Sequence, residues 1–465
     1  MKIELAKKEN IHFVGIGGIG MSGLALIMKG MGFKVQGSDI SKNKNIDRLK
    51  KNKIKIFTGH SKKNIDRATI LVISSAIKKN NSEVQQAKIK NLPIYKRGDM
   101  LAHIVSLTQN VVVAGSHGKT TTTSLISGIF SKAKLDPTII NGGVINSIQN
   151  SARLGKSKWC VLESDESDGS FIKVPPTYSV VTNIDREHMD YYKSMEKLKN
   201  HFLEFINKVP SFGKSFICKD DKINSQIIKK IKTKNFYTYG TKKDSNFVIK
   251  NIRRFRDMSI FDVIISLPGK KKITLKNINI PLLGLHNIRN ATAAVAVAFT
   301  IGISTEIIKN SLIKFQGVQR RFNKIFNYRG VSFFDDYAHH PTEIKELING
   351  VHQVYQKEKI YCIFQPHRIS RLKDLRKEFS SSFSKTEAVI LCPIYKAGEK
   401  IKLGFDYLNF AKEICRNSKV KVYLVKDQYE LSKFVKQNIY GDKIVIGMGA
   451  GSISNWIRDL PKFVK

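Results

Sequence analysis

The stretch NVVVAGSHGKTTTT, at residues 110–123, joins an apolar, β-rich run to a glycine-bracketed turn and then to a lysine and four threonines. Gly115 and Gly118 allow the backbone to close around a phosphate, and the helix start predicted after them favours anions through its dipole and unpaired N–H groups. Lys119 would contact the β- and γ-phosphates, and Thr120 would supply a hydroxyl ligand for Mg²⁺. The pattern predicts an ATP-binding phosphate loop between a strand and a helix.

This loop is shorter than the general pattern GxxxxGK[ST], which would place a glycine at Val113. The loop instead has the shorter form GxxGKTT. This form is a weaker match to the general phosphate-loop pattern but a more specific match to one particular group of phosphate loops. A structural turn with an incidental lysine is the alternative interpretation. Because a phosphate loop requires a strand before it and a helix after it, and both are predicted here, we expect phosphate binding.

The length of 465 residues exceeds that of one ordinary domain, and about 150 residues per domain suggests three domains. No apolar run reaches the roughly 18 to 20 residues of a membrane span, and the longest, residues 291–303, is interpreted as a buried helix. The N-terminal stretch MKIELAKKENIHFVG runs into a glycine-rich turn and lacks the apolar core of a signal peptide. We therefore expect a cytoplasmic protein without membrane insertion, either a monomer or a homodimer.

The formal charge of +42, from 80 basic and 38 acidic residues, would by itself suggest a nucleic-acid-binding ATPase. The lysines are scattered, however, without interleaved aromatic residues or a recognisable binding module. We favour a coding bias toward adenine-rich codons, with attraction of anionic substrates or incidental polyanion binding as the alternatives. The five cysteines are dispersed and never in CxxC spacing, which indicates neither a disulfide framework nor a zinc site. No specific nucleic-acid partner is expected.

A second glycine turn lies near the N-terminus, where IHFVGIGGIG at residues 11–20 runs from a predicted strand into a predicted helix. Its GxGxxG pattern, followed about 20 residues later by Asp39, is a dinucleotide fingerprint and makes an NAD-dependent oxidoreductase an alternative. The physics requires only a diphosphate on a helix N-terminus and a ribose near Ser38 or Asp39, which a uridine diphosphate also satisfies. Ser74 and Ser75, at a later strand end, line the same crevice or form a capped turn.

Two further predicted strands end in residues that are typical metal ligands. WCVLESDESD, at residues 159–168, contains four acidic side chains, and YSVVTNIDREHMD, at residues 178–190, contains acidic side chains and a histidine. The carboxyl ends of neighbouring strands converge on one crevice in a parallel α/β sheet. Carboxylates and an imidazole opposite a phosphate loop suit Mg²⁺ ions that bridge ATP oxygens. Solvated acidic turns are the alternative.

The pattern changes near residue 317 and predicts a third α/β domain. VSFFDDYAHHPTEIKEL, at residues 331–347, ends a strand in charged and aromatic residues, and Pro341 suits the first position of the next helix. The glycine loop at residues 447–451 is interpreted as a structural turn more readily than as a ligand cradle. Upstream, GLHNIRN at residues 284–290 opens an alanine-rich helix whose polar start is a candidate contact for the base of ATP.

With these motifs in order, the chain resembles the Mur ligases, the ATP-dependent enzymes that add amino acids to the peptidoglycan precursor. The family's GTHGKTTTT, EADES, NIxxxHMD, GxHNxxN, DDYGHHPTE and QPHRxxR correspond here to GSHGKTTTT, ESDES, NIDREHMD, GLHNIRN, DDYAHHPTE and QPHRISR. Its GRRF is QRRF at residues 319–322, which leaves Arg321 as the better carried-over arginine. The likeness covers essentially the whole chain and is closest to the member that adds L-alanine. A sister enzyme that recycles a preformed tripeptide lacks QPHRxxR and is the alternative.

The resemblance implies that ATP phosphorylates the carboxylate of UDP-N-acetylmuramate to an acyl phosphate, which the amine of L-alanine then attacks. Lys119 and Mg²⁺ would stabilise the transferring phosphoryl group. Thr120 and Glu163 resemble ligands of a metal on the β- and γ-phosphates, and His188 resembles a ligand of a second metal. QPHRISR places Arg368 and Arg371 three residues apart, so that both guanidinium groups would share one face if a helix started there.

The predicted site falls into five groups of residues, some of which overlap. The catalytic residues are Lys119, His188, Arg368 and Arg371, and the metal ligands are Thr120, Glu163 and His188. The predicted ATP contacts are Gly115, Ser116, His117, Gly118, Lys119, Thr120, Thr121, His286, Asn287, Asn290, Arg321 and Asp336. The predicted UDP-sugar contacts are Gly15, Gly17, Gly18, Gly20, Ser38, Asp39, Ser74 and Ser75. The predicted alanine contacts are Tyr337, His339, Arg368 and Arg371.

The expected fold class is α/β with three domains. A Rossmann-like domain at residues 1–107 would bind the UDP-sugar. A central P-loop α/β domain at residues 108–318 would bind ATP. A second Rossmann-like α/β domain at residues 319–465 would bind the amino acid.

Overall fold

A computed structural model describes residues 9–399 and 405–464. The first residues of the stretch examined for a signal peptide lie outside these described residues. The described chain contains three β-sheets. The predicted fold class, α/β with three domains, is confirmed, because each domain contains one of these sheets. By its contacts the chain divides into two compact units. One unit takes in the chain up to Arg253, Ile260–Pro281 and Asn287–Val318; the other takes in Arg254–Ser259, Leu282–His286 and the chain from Gln319 onward. The domain boundaries stay predictions.

The N-terminal sheet is parallel throughout and has the order β3-β2-β1-β4-β5. Its strands are β1 (Asn10–Val14), β2 (Lys34–Asp39), β3 (Lys55–Thr58), β4 (Ile70–Ile73) and β5 (Ile94–Lys96). Its helices are α1 (Ile19–Gly30), α2 (Lys44–Lys51), α3 (Ser82–Ile89) and α4 (Arg97–Val105), with a 3₁₀ turn at Lys62–Ile65. The predicted change from strand to glycine turn to helix is confirmed by β1 and α1.

The central sheet is built around β6, the strand that precedes the phosphate loop. Its order is β15-β14-β13-β12-β11-β10-β6-β9-β7-β8. The strands are β6 (Gln109–Ala114), β7 (Thr138–Ile145), β8 (Asn150–Arg153), β9 (Trp159–Glu163), β10 (Tyr178–Val181), β11 (Lys214–Cys218), β12 (Phe236–Gly240), β13 (Phe247–Arg254), β14 (Ser259–Ile265) and β15 (Ile273–Ile280). Because β10 and β9 flank β6 in parallel, their carboxyl ends meet at the phosphate loop, as the sequence predicts.

Six helices accompany the central sheet. They are α5 (Lys119–Lys132), α6 (Met189–Tyr192), α7 (Met195–Asn207), α8 (Lys222–Ile228), α9 (Leu285–Thr300) and α10 (Thr305–Ile313), with a 3₁₀ turn at Ser170–Lys173. The middle of α9, from Ala291 to Ala298, is wholly buried, which confirms the prediction of a buried helix. Among the described residues, no helix has both the length and the apolar character needed to cross a membrane.

The N-terminal and central sheets belong to one compact unit and share a hydrophobic core. Helix α1 packs on strands β7 and β8, where Gly23 lies close to Ala152. A side chain at Gly23 would place its Cβ 3.1 Å from the Cβ of Ala152, so glycine keeps the backbone of α1 close to the strand. The small residue in MSGLAL is therefore a packing feature of this contact.

The C-terminal sheet has the order β16-β17-β21-β18-β19-β20, with β16 antiparallel and the other strands parallel. Its strands are β16 (Asn323–Tyr328), β17 (Val331–Asp336), β18 (Lys359–Phe364), β19 (Ala388–Leu391), β20 (Lys421–Leu424) and β21 (Lys443–Met448). Its helices are α11 (Pro341–His352), α12 (Ile369–Asp374), α13 (Arg376–Ser380), α14 (Tyr407–Ser418), α15 (Gln428–Asn438) and α16 (Ile453–Val464). Pro341 is the first residue of α11, as predicted.

Candidate active site

The phosphate loop depends on two glycines with positive φ angles. Gly115, after β6, has φ +136°, and Gly118, before α5, has φ +81°. A Cβ on Gly115 would lie 2.1 Å from the Oγ1 atom of Thr182, and one on Gly118 would lie 2.6 Å from the Oδ1 atom of Asn290. The loop therefore needs glycine both for its backbone conformation and for its close contacts.

Hydrogen bonds tie the loop to the end of strand β10. The backbone N–H groups of Ser116 and His117 donate to the backbone oxygen of Asn183 and to its Oδ1 atom, both at 2.9 Å. The Asn183 amide donates back to the His117 oxygen at 3.0 Å, and Thr182 Oγ1 donates to the same oxygen at 2.7 Å. The Asn183 side chain thus holds the phosphate loop in its conformation. Sequence analysis did not predict this role for Asn183.

Lys119 lies at the first position of α5 and is held inside the loop. Its Nζ atom donates to the backbone oxygens of Gly115 and Ser116 and contacts Oε2 of Glu166 at 2.8 Å. Burial would lower the pKa of Lys119, but the carboxylates of Glu166, Glu163 and Asp165 outweigh it and raise that pKa above its ordinary value. Lys119 is therefore a permanent cation at the loop, which suits binding of a polyphosphate.

The predicted metal ligands Thr120 and Glu163 lie near the glycine pair Gly142 and Gly143 of β7. Glu163 Oε2 accepts the Gly142 N–H at 2.8 Å, and a Cβ on Gly143 would lie 2.9 Å from the Cγ2 atom of Thr120. The two glycines leave room for a carboxylate and a threonine at the start of α5. The pair stays a prediction as metal ligands.

His188 is associated with a different group of acidic side chains. Asp165, Glu166 and His188 each offer a ligand atom, and these atoms lie within 4.8 Å of one another. The Oε1 atom of Glu166 is buried and, among the described residues, accepts no hydrogen bond; His188 Nε2 lies 3.6 Å from it. Burial raises the pKa of Glu166, and Asp165 and Glu187 raise it further, against the lowering effect of Lys119. A buried carboxylate oxygen without a donor is a position that a cation such as Mg²⁺ fits.

Helix α9 contributes Asn290 to the surroundings of the phosphate loop. A Cβ on Gly118 would lie 2.6 Å from the Asn290 Oδ1 atom, and the Asn290 amide donates to Asn287 Oδ1 at 3.3 Å. His286, at the beginning of the same motif, lies with its Nδ1 atom 3.9 Å from Oε2 of Glu346. The three polar residues predicted to contact ATP therefore have different neighbours.

The N-terminal glycine turn is held by Asp39, the acidic residue of the dinucleotide-like fingerprint. Its Oδ2 atom accepts the N–H of Gly17 at 2.8 Å, and its Oδ1 atom accepts the N–H of Ser41 at 2.9 Å. The N–H groups of Gly15 and Ile16 donate to the backbone oxygen of Ser38. Gly18 precedes α1, and Gly20 lies in its first turn. Asp39, at the end of β2, thus holds the glycine turn that follows β1.

Ser38 itself is fully buried and belongs to a polar network around Glu83. Its hydroxyl donates to Oε2 of Glu83 at 2.6 Å, and the Asn64 amide donates to Oε1 at 2.6 Å. His60 and His12 approach the same Oε2 atom at 3.2 and 3.5 Å. The Ser38 hydroxyl is therefore engaged inside the protein, and its predicted role with a ribose remains a prediction.

The two other predicted serines lie at the end of β4. A Cβ on Gly15 would lie 3.1 Å from the Cβ of Ser74, so Ser74 is next to the glycine turn. The Ser74 hydroxyl accepts the N–H of Ala76 at 3.4 Å, which is a local turn contact. Ser75 is exposed.

Glu83→Gln is expected to lower the free energy of unfolding by about 2 to 3 kcal/mol near pH 7, because a buried network loses its anion. Burial would raise the pKa of Glu83, but the adjacent His12 and the hydrogen bonds from Ser38 and Asn64 lower it to about 2. The stabilisation is complete above the unfolded-state value of 4.5 and is lost as the pH falls toward 2. Urea unfolding near pH 7 and near pH 3 measures both values.

The wild-type and Glu83→Gln proteins should differ less near pH 3 than near pH 7. Glu204→Gln is the control, because Glu204 is exposed and lies in an ion pair with Lys208, the residue that follows α7. A difference for Glu83→Gln that is the same at both pH values would contradict the prediction.

Arg97, which sequence analysis did not assign to the site, lies at the glycine turn. A Cβ on Gly20 would lie 3.4 Å from the Arg97 Nη1 atom, and Arg97 Nη2 lies 3.7 Å from Oδ2 of Asp165. Arg97 thus connects the start of α1 with the acidic group after β9. A cation at a helix N-terminus suits a diphosphate. No local pattern marks Arg97, because these contacts join segments far apart in the chain.

In the C-terminal unit, Asp336 fixes the end of β17. It is buried, and its carboxylate accepts the backbone N–H groups of Phe322 and Ala338, both at 2.7 Å. Burial raises its pKa to about 6. The guanidinium groups of Arg320 and Arg321 lie 4.7 and 5.3 Å from the centre of the Tyr337 ring. Both arginines of QRRF therefore lie beside the predicted alanine contact Tyr337.

A row of rings connects the end of β17 with the QPHRISR motif. The ring centres of Tyr337 and His339 are 5.1 Å apart, those of His339 and His367 are 5.9 Å apart, and those of His367 and Tyr395 are 5.5 Å apart. Arg371 Nη1 lies 3.3 Å from His367 Nδ1. Burial lowers the pKa of His367 to about 3, and the positive neighbours reinforce this. The neutral His367 ring can therefore accept a hydrogen bond from Arg371.

Arg368 does not share a helix with Arg371, so the expected helical spacing is wrong for this pair. Helix α12 begins at Ile369, and Arg368 precedes it with φ +67° and ψ 133°. The backbone of Arg368 lies outside the helical region because the chain turns there. The Arg368 side chain is exposed, whereas Arg371 points back to His367.

Comparisons with known proteins cover most of the chain. The Mur ligase middle domain matches residues 113–298, the catalytic domain of the Mur ligase family matches residues 10–109, and the Mur ligase glutamate ligase domain matches residues 320–451. The UDP-N-acetylmuramate–L-alanine ligase of Pelagibacter ubique is 70% identical over 464 residues, which is 100% of each chain.

Two solved structures share the fold. The UDP-N-acetylmuramate-alanine ligase of Thermotoga maritima aligns with a TM-score of 0.81 and 26% identity over 98% of both chains. A murein peptide ligase from Psychrobacter arcticus aligns with a TM-score of 0.72 and 20% identity, also over 98% of both chains. At that identity the second likeness concerns the fold alone.

Proposed function

The chain belongs to the Mur ligase family, and we propose that it joins L-alanine to UDP-N-acetylmuramate with ATP, the first amino-acid addition in peptidoglycan precursor synthesis. The observation that carries this function is the similarity along the whole chain to the Pelagibacter ubique ligase of that name. ATP use agrees with the phosphate loop, where Lys119 is enclosed between Gly115 and Glu166.

The reaction has to activate a carboxylate, because a carboxylate is a poor electrophile at neutral pH. Transfer of the γ-phosphoryl group of ATP to the muramoyl carboxylate gives an acyl phosphate and ADP. The amine of L-alanine then attacks the acyl carbon, and phosphate leaves as the amide forms. We propose that Lys119 releases its contact with Glu166 and places its Nζ atom on the β- and γ-phosphate oxygens, where it stabilises the charge that develops.

Mg²⁺ is proposed as the metal of this site, with Thr120 and Glu163 as ligands at the phosphates. His188, with Asp165 and Glu166, would form a second set of ligands. Bound there, Mg²⁺ would neutralise phosphate oxygens and orient the transferring group. The buried Oε1 atom of Glu166, which accepts no hydrogen bond from the described residues, supports this assignment, since a cation would stabilise such a carboxylate oxygen.

The substrates are assigned from the two remaining groups of residues. We propose that the glycine turn of α1, with Gly15, Gly17 and Arg97, holds the diphosphate of the UDP-sugar. We propose that Arg371 and Arg368 bind the α-carboxylate of alanine, with Tyr337 and His339 around its methyl group. The ring row from Tyr337 to His367 supports this, because it brings the DDYAHHPTE and QPHRISR motifs together. The contributions of Arg321 and Asp336 to ATP binding stay predictions.

The competing functions are not favoured. The Pelagibacter ubique relative, which matches the full chain, is a UDP-N-acetylmuramate–L-alanine ligase, and the likeness to the Psychrobacter arcticus murein peptide ligase concerns the fold only. The oxidoreductase hypothesis depended on the stretch from Gly15 to Asp39, and the carboxylate of Asp39 is already engaged by the N–H groups of Gly17 and Ser41. A cytoplasmic location and a monomeric or homodimeric state stay predictions.

One coupled assay tests the proposed function. Phosphate release from ATP should require both UDP-N-acetylmuramate and L-alanine, and the product should be the alanyl nucleotide. A preformed tripeptide that replaced alanine at lower concentration would favour the recycling reaction. Preferential binding of NADH over UDP-N-acetylmuramate, or ATP hydrolysis stimulated by nucleic acid instead of alanine, would contradict the assignment.

Arg368→Lys is expected to raise the KM for L-alanine at least tenfold, about 1.4 kcal/mol, because lysine keeps the charge but loses the planar two-point fork. The KM values for ATP and the UDP-sugar should stay within about twofold, since the guanidinium would bind only the amino acid. Steady-state kinetics with each substrate varied in turn measures this. Arg416→Lys, at an exposed position of α14, is the control. Unchanged alanine kinetics in Arg368→Lys and Arg371→Lys alike would remove this motif from the alanine site.

A further inference from the structure

The segment of residues 395–399 lies against the QPHRISR turn and is connected to it by the backbone. The N–H of Tyr395 donates to the oxygen of Pro366 at 2.8 Å, and the N–H of Arg368 donates to the oxygen of Tyr395 at 2.9 Å. His367 and Tyr395 also pair as an isolated parallel bridge. The turn that carries the alanine-site arginines is thus paired with a segment about thirty residues further along the chain.

Glu399 supplies the cap that helix α12 lacks locally. The first N–H groups of a helix have no partner within the helix, and the side chain of Arg368 at the N-cap position makes no capping hydrogen bond. Glu399 Oε2 accepts the N–H groups of Ile369 and Ser370 at 2.8 and 3.2 Å. Its Oε1 atom accepts the Ser370 hydroxyl. The Glu399 carboxylate therefore accepts hydrogen bonds from the first two N–H groups of α12 and from the Ser370 hydroxyl.

The capped turn includes an unusual backbone conformation at Arg368. Its φ of +67° is rare for a residue with a side chain, and such conformations persist only where the surrounding structure enforces them. Here the Tyr395 oxygen holds the N–H of Arg368, and Glu399 holds the two N–H groups that follow. The contacts with residues 395–399 therefore fix the backbone conformation of Arg368, and with it the direction in which its side chain points.

The ring of Tyr395 is itself packed between His367 and the second glycine loop. It is nearly parallel to His367, with an interplanar angle of 11°. A Cβ on Gly451 would lie 2.5 Å from the Tyr395 Cγ atom. The Gln365 side chain accepts the N–H of Ile453 at 3.0 Å, which holds the start of α16 directly after this loop. The loop at residues 447–451 thus has a packing role that keeps Tyr395 in place.

We propose that Glu399 is a positioning residue for the alanine site: by capping α12 it fixes the backbone from which Arg368 and Arg371 reach the α-carboxylate of the amino acid. This rests on the proposed function. Glu399 does not itself touch the substrate. Its effect passes through Ile369 and Ser370, so loss of the carboxylate loosens both arginines and weakens alanine binding without changing the nucleotide sites.

Glu399→Ala is therefore expected to raise the KM for L-alanine at least tenfold and to leave the KM values for ATP and UDP-N-acetylmuramate within about twofold, as for loss of a preorganised clamp. Glu399→Gln keeps an acceptor oxygen and should lie between Glu399→Ala and wild type. Ser370→Ala removes only the hydroxyl contact and should raise the alanine KM by about two- to threefold. Glu378→Ala, at an exposed position of α13, is the matched control and should resemble wild type.

The readout separates positioning from general stability. A merely structural glutamate would lower the melting temperature and the active fraction without a selective change in the alanine KM. The idea is overturned if Glu399→Ala and Ser370→Ala fold but keep an alanine KM within twofold of wild type, or if all three KM values rise together. If Glu399→Ala does not fold, Glu399→Gln and Ser370→Ala decide on the same criterion. Wild-type phosphate release that does not depend on alanine would instead contradict the proposed function.

Discussion

Lys119→Ala is expected to lower kcat/KM for ATP by roughly 10² to 10³, equivalent to about 3 to 4 kcal/mol of transition-state stabilisation, the usual cost of one preorganised donor. Lys119 is enclosed by the backbone oxygens of Gly115 and Ser116 and by Glu166. Lys119 is the first residue of α5, and the other lysine of this helix, Lys132, is its last residue. No other lysine of α5 can therefore take the place of Lys119 at the loop. Coupled phosphate release measures the rate, and circular dichroism checks that the variant folds.

UDP-N-acetylmuramate binding should barely change in Lys119→Ala, because the N-terminal glycine turn keeps its own contacts through Asp39. Lys132→Ala is the matched control, since Lys132 is exposed in the last turn of the same helix. Turnover of Lys119→Ala within about threefold of wild type would show that another group performs the phosphate role.

Gly115→Ala is expected to reduce kcat/KM at least about 10²-fold, because displacing a phosphate-binding backbone by even ~1 Å has effects of that size. The new Cβ would lie 2.1 Å from Thr182 Oγ1 and 3.0 Å from the backbone oxygen of Asn183, at a φ of +136°. Either the loop or the end of β10 has to move, which should also cost about 2 to 4 kcal/mol of unfolding free energy. ATP binding by calorimetry and urea unfolding measure the two effects.

Gly128→Ala is the control for this substitution within the same loop helix. A Cβ on Gly128 meets nothing closer than 3.6 Å, the distance to the Ser311 hydroxyl. Alanine in a helix interior is favoured over glycine by roughly 0.5 to 1 kcal/mol, so this variant should be active and slightly more stable. A Gly115→Ala enzyme that resembled Gly128→Ala would mean that the phosphate loop tolerates a side chain at its first glycine.

The phosphate loop and the N-terminal turn could be predicted because their chemistry is local. Gly115, Gly118 and Lys119 lie within one short stretch of the sequence, and the strand and helix around them follow from apolar periodicity. The glycine turn after β1 and the proline that opens α11 are encoded in the same way. The order of these motifs along the chain also identified the family, which the comparisons confirm.

The helical spacing expected for Arg368 and Arg371 was wrong because the conformation of this turn depends on distant residues. Sequence spacing predicts which side chains share a face only if the backbone is helical throughout. The turn at Arg368 is instead set by the oxygen of Tyr395 and by Glu399, which lie far along the chain. No pattern within QPHRISR indicates those contacts.

The sequence by itself therefore determined the fold class, the family and the short motifs, because backbone conformation, hydrophobic periodicity and helix starts depend on neighbouring residues. Only the tertiary structure decided that Ser38 is engaged by Glu83, that Asn183 holds the phosphate loop, that Arg97 reaches the glycine turn and that Glu399 caps α12. These are hydrogen bonds and close contacts between segments that are far apart in the sequence and that the parallel sheets bring together. Such contacts leave no periodic signal in the chain, since each partner is an ordinary polar residue until the fold places it.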